Sequence, residues 1–83
     1  MTLIQNLPAG TACTIISIEG DGAVARRARE LGLVAGTVCT VIRKAPFGGP
    51  IEIATAVSRI GIRPSDGLLI SVEVLHSTGQ VAA

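Results

Sequence analysis

Apolar and polar residues alternate most regularly near the end of the chain. Ile70, Val72 and Val74 are interleaved with Ser71 and Glu73, the period-two signature of a strand with one buried face. Ile60 and Ile62 alternate in the same way with Arg59, Gly61 and Arg63. Between Val38 and Ala45 two sets interleave, Val38, Thr40, Ile42 and Lys44 against Cys39, Val41, Arg43 and Ala45. A strand is predicted over 38–45, and a shorter one over 51–56. The stretch Thr11 to Ile18 is rich in Ile and Thr, but Ile15 and Ile16 are adjacent. That irregularity predicts a strand partly covered on both faces.

The period changes once. Val24, Ala28 and Leu31 share one face at helical spacing, with Arg26, Arg27, Arg29 and Glu30 on the other sides, which predicts a short helix over 23–31. Asp21 is the expected N-cap, and Gly32 is expected to stop the helix in the left-handed conformation. Turn signals separate the remaining runs: Pro8-Ala9-Gly10 after Leu3 and Leu7, Val34 to Thr37, Pro46-Phe47-Gly48-Gly49-Pro50, and Pro64 to Gly67. Residues 76–83 show no periodicity and are expected to form a frayed tail beyond a single domain, 1–75. About five short strands and one helix are too few for a sandwich, and an open sheet of this size leaves bare edges. The expected fold is mainly β, a small SH3-like barrel with one inserted helix and tight bends at Gly36, Gly48, Gly49 and Gly61.

Composition narrows the function. The chain has 83 residues, 48% of them hydrophobic, with Phe47 as its one aromatic. That suits one small globular domain. Seven Lys and Arg against six Asp and Glu provide no field for a phosphate backbone, and there is no aromatic platform for bases, so nucleic acid is not an expected partner. No apolar run reaches the roughly 20 residues of a membrane span, and the N-terminus does not resemble a secretion signal. The expectation is a cytoplasmic protein with no direct membrane insertion, whose two cysteines are reduced.

Several stretches together resemble a known family. They are Arg26-Arg27-Ala28-Arg29-Glu30-Leu31-Gly32-Leu33, then Gly36-Thr37, Ala45-Pro46-Phe47-Gly48-Gly49-Pro50-Ile51, and Ile62-Arg63 ahead of Ile70-Ser71-Val72. In order and spacing, from about Leu7 to Val74, the chain is similar to FeoA, the small cytosolic companion of the FeoB ferrous-iron transporter. The resemblance implies an SH3-like barrel and a non-enzymatic role as an adaptor that docks on FeoB and modulates iron uptake. Three positions depart from the family's usual pattern. Ala28 replaces a larger aliphatic residue, Arg29 stands where apolar residues are frequent, and Val57 sits where a glycine often makes the hairpin turn. Similar domains also occur attached to metal-dependent regulators, which gives a metal-sensing module as the alternative. The chain has no helix-turn-helix of its own.

Candidate chemistry is sparse. Cys13, Cys39 and His76 are the soft metal ligands. The two thiols are separated in sequence by a helix and a strand, so they are expected to be core residues and His76 a solvated one, with no metal site. No nucleophile has a recognisable base or orienting group beside it. Neither Gly-rich turn carries the Lys and Ser/Thr of a phosphate loop. No catalytic residue and no cofactor are expected. Partner binding is better served. Phe47 on a proline-flanked turn is either an interface anchor or a plug folded back on the barrel. The candidate contact is Arg43, Lys44, Ala45, Pro46, Phe47, Gly48, Gly49 and Pro50. Arg26, Arg27 and Arg29 form a solvated helix face or a second contact with an acidic surface. A proline-rich ligand is not expected without an aromatic groove, and homo-oligomerisation is left open.

Overall fold

The computed structural model describes residues 2–75. Six antiparallel strands and one α-helix follow in the order β1 (Thr2–Leu3), β2 (Ala12–Glu19), α1 (Ala23–Glu30), β3 (Val38–Lys44), β4 (Ile51–Ala54), β5 (Arg59–Ile62) and β6 (Leu69–Val74). Single 3-10 turns occupy Ile4–Asn6 and Pro64–Asp66. The strands form one sheet in the order β1-β6-β2-β3-β4-β5. The predicted elements are present to within two residues at each end. The two-residue β1 and the turn after it were not predicted, because they carry no alternation to read.

The sheet curls around a single core built from alternate positions: Cys13 and Ile15 on β2, Cys39 and Val41 on β3, Ile51 and Ile53 on β4, Ile60 and Ile62 on β5, Ile70 and Val72 on β6. Ile4 and Leu7 close one side of it, Ile4 wholly buried. Two bulges set the curl. The register of β2 with β6 passes from Ile15↔Val72 to Ser17↔Ser71, so Ile16 is an extra residue. The register of β3 with β4 passes from Val41↔Ile53 to Arg43↔Glu52, so Ile42 is another. An extra residue bends its strand and increases the local twist. The adjacent isoleucines on β2 therefore reflect a bulge, not two covered faces: Ile15 is buried while Ile16 is half exposed. Among the described residues β1 and β5 do not pair with each other. As far as these residues go, the barrel is curled but not closed by hydrogen bonds, and its two edge strands are unpaired on their outer sides.

Helix α1 places Ala25 and Ala28 in the core, with Val24 and Leu31 half-buried beside them. The buried stripe is thus shifted toward Ala25, and at Ala28 a small residue lets the helix sit close to the sheet. The N-cap is Gly22, with no side-chain cap, so Asp21 does not fill the role expected of it. The other terminus follows the sequence. Gly32 has φ 97°, its N–H donates to Arg29 O at 3.0 Å, and the Leu33 N–H donates to Ala28 O at 3.0 Å. This is the paired-bond stop that a left-handed glycine makes possible. Three further bonds, from two side chains, lock the helix in place. Arg29 donates to Gly20 O at 2.9 Å and to Ile18 O at 3.3 Å, and Ser58 Oγ donates to Leu31 O at 2.8 Å.

Candidate docking site

The connection between β3 and β4 runs from Ala45 to Pro50. It is closed by the Ala45 N–H on Pro50 O at 3.0 Å and the Gly49 N–H on Pro46 O at 3.1 Å. Phe47 and Gly48, between them, have φ 57° and 75°. Both central residues of the turn are therefore left-handed, as in the mirror-image turns that suit tight hairpins and favour Asn-Gly. Glycine accepts that conformation freely, whereas phenylalanine does so at a cost of about 1–2 kcal/mol. Gly49 is fixed for a different reason, since an added Cβ would lie 2.7 Å from that of Ala45. The turn holds Phe47 entirely in solvent, at 102% relative exposure. The ring is not a plug folded back on the barrel.

Below the turn, the bulge decides where Arg43 goes. Strict alternation along β3 places Arg43 on the core face with Cys39 and Val41. The extra residue Ile42 shifts it to the outer face opposite Glu52. There Arg43 Nε lies 3.6 Å from Glu52 Oε1, and Arg59 Nη1 lies 3.5 Å from Glu52 Oε2. One carboxylate is shared by two exposed guanidinium groups. With Ala45, Pro50, Ile60 and Gly61, these three side chains line an open groove of about 430 Å³. Lys44 extends elsewhere, its Nζ donating to Gln5 O at 2.9 Å, and so ties the hairpin to the N-terminal turn. Pro46 and Pro50 are exposed and Ala45 is half-buried at the base.

The predicted contact residues therefore form one hairpin whose tip is Phe47 and whose base opens into the groove. Glu52, Arg59, Ile60 and Gly61 were not among them. Their signal was present in the sequence as a glycine inside an alternating strand, which marks a bulge, a bend or a close approach. Gly61 was assigned to a bend, but it lies within extended β5, outside the left-handed region.

The other candidates fall apart or come together differently. Arg26 and Arg27 are exposed, and Arg29 is held on the backbone at the end of β2. The hairpin turn at Val57 needs no glycine. Thr55 Oγ1 accepts from the Val57 and Ser58 N–H groups at 3.2 and 3.1 Å, and Val57 does not adopt positive φ. Cys13 and Cys39 are both core residues, yet they are not apart. α1 intervenes in sequence, but β2 and β3 are neighbours, and the cysteines are register partners with Sγ atoms 3.6 Å apart. Burial pushes the Cys13 thiol up, and burial together with the neighbouring Cys13 pushes Cys39 up to about 12. Two protonated thiols supply half of a tetrahedral site, and no group of three or more potential ligands occurs among the described residues. His76 lies outside the described residues.

A family model described as the FeoA domain matches residues 1–74. A curated relative from Porphyromonas gingivalis, a Fe(2+) transport protein A/Fe(2+) transporter FeoB fusion protein, is 30% identical over 74 residues. Those residues are 89% of this chain but 9% of that relative, so the chain spans a small part of its length. Among solved structures, the FeoA protein of Chlorobium tepidum superposes with a TM-score of 0.78 at 34% identity, covering 89% of this chain and 70% of that one. Stenotrophomonas maltophilia FeoA, crystallised with zinc and described as a prokaryotic SH3 domain protein, gives a TM-score of 0.71 at 28% identity, covering 88% and 91%.

Proposed function

Because the chain belongs to the FeoA domain family, we propose that it is a non-enzymatic accessory of ferrous iron uptake which docks on the cytosolic side of a FeoB-type transporter. Phe47 carries this reading. An aromatic ring held wholly in water, on a backbone conformation that disfavours it, gains nothing for the isolated fold. Large rigid side chains of this kind anchor interfaces, and local strain concentrates where binding occurs. The fused relative supports the choice of partner. Joining two proteins in one chain raises the effective concentration of each for the other, which is useful when they must touch. No helix among the described residues is long and apolar enough to cross a membrane.

Pull-down of the purified full chain against separate cytosolic segments of the cell's FeoB-type transporter tests the proposal. Retention by one segment, reduced by Phe47→Ala in protein with an unchanged circular dichroism spectrum, is the expected result. Retention by none of them overturns it.

A further inference from the structure

Gly61 occupies the middle of edge strand β5 without a local need for glycine. Its φ is not left-handed, and a Cβ built on it would meet only Pro50 Cβ, at an ordinary 3.9 Å. The missing side chain instead leaves the floor of the groove open between Arg43, Glu52 and Arg59. A glycine inside a strand often marks the place where another backbone comes close.

The edge beside it is ready for such a backbone. In the β4–β5 hairpin the Thr55 N–H donates to Ser58 O at 2.8 Å, which makes these two a hydrogen-bonded pair. Antiparallel alternation then makes Ile53↔Ile60 and Ile51↔Ile62 bonded pairs, and leaves Ala54↔Arg59 and Glu52↔Gly61 unbonded. The N–H and C=O groups of Arg59 and Gly61 therefore point off the sheet. Among the described residues β5 has no strand on that side. The opposite edge, β1, has only two residues and offers little to pair with.

Charge selects the occupant. Arg43 and Arg59 flank the opening and have only Glu52 between them, so the rim keeps an excess of positive charge. Exposed ion pairs contribute little, and an incoming carboxylate can take over either guanidinium. The same arginines discourage a second copy of this chain, which would bring like charges together at the edge.

We propose that β5 receives an extended acidic segment of the docking partner as a further strand, with one of its acidic side chains in the groove. Its backbone pairs with Arg59 and Gly61 in the plane of the sheet, and an Asp or Glu side chain from it crosses the bare Cα of Gly61 toward Arg59 and Arg43. Recognition by strand addition draws affinity from the main chain and selectivity from the side-chain pocket. This inference rests on the docking proposed above and names the chemistry of the partner at that site.

The test uses the 15N-labelled full chain, with the recombinant cytosolic region of the FeoB-type transporter as probe. Gly61→Val suits an extended strand and fills the groove, so the variant should fold with an equal or higher Tm. Its affinity should fall by about tenfold or more, while in the wild-type complex the Arg59 and Gly61 amides become protected from exchange. Wild-type affinity in Gly61→Val, or unprotected amides in a formed complex, overturns strand addition but leaves docking intact. A probe that does not bind the wild type at all overturns the docking itself. Concentration-dependent self-association abolished by Gly61→Val would assign the groove to a second copy and contradict the proposal.

Discussion

Arg43 and Glu52 face each other across β3 and β4, Nε to Oε1 at 3.6 Å, because Ile42 is an extra residue in the register between them. Glu52 also holds Arg59, so one carboxylate offsets two cations. Both pairs are exposed, and each contributes about 0–1 kcal/mol. Glu52→Gln should therefore change Tm little. It should also tighten binding of an acidic partner and steepen the fall of affinity with added salt. Titration at two ionic strengths measures both effects. A weaker complex with unchanged salt dependence would show that the rim does not act through its charge.

The stop of α1 rests on Gly32 at φ 97°. Nothing lies within 4 Å of a Cβ built there, so the penalty for a side chain is conformational and not a clash. Gly32→Val should destabilise the fold by about 1–3 kcal/mol, each kcal/mol lowering Tm by about 4–8 °C. Gly32→Asn should lose less, because asparagine tolerates the left-handed region. Equal losses in the two variants would contradict this account of the helix end.

Cys39 links stability to alkaline pH. In the fold its thiol is pushed up to about 12 from an ordinary 9.0, mainly by burial and then by Cys13. An unfolded chain gives up this proton first, so rising pH favours unfolding. The contribution is complete below about pH 9 and is lost progressively as pH rises toward 12. Denaturant midpoints between pH 8 and 10 should decline in the wild type and decline less steeply in Cys39→Ala. Parallel slopes would remove the thiol from the explanation.

Much of this architecture was legible because alternation and glycine placement are local signals. Ile70 to Val74 announced β6, Ile60 and Ile62 announced β5, and Gly32 announced the end of α1. What escaped depended on partners distant in sequence. Ile4 is wholly buried, yet it belongs to a turn without periodicity, and only β6 gives β1 its place. The cysteines looked separate because α1 stands between them in sequence, whereas strand order brings them into contact. The bulges at Ile16 and Ile42 are register shifts against β6 and β4, visible only once those strands are paired. The hairpin half of the candidate site was read from its turn residues. Of the groove, Arg43, Ala45 and Pro50 were read with the turn, but Glu52, Arg59, Ile60 and Gly61 were not, since Arg43, Glu52 and Arg59 come from three strands and meet through one of those shifts.

Phe47 provides the most direct test, because its part in folding and its part in docking predict opposite changes. Asparagine suits the left-handed position better than phenylalanine, and the ring has no contacts to lose at 102% exposure. Calorimetric titration of the FeoB cytosolic region with wild-type protein and with Phe47→Asn, alongside their melting temperatures, measures both. The account predicts a Tm that is unchanged or a few degrees higher, by up to about 4–8 °C per kcal/mol of relieved strain, and a Kd raised at least about tenfold. A variant that binds the transporter as tightly as the wild type would contradict it.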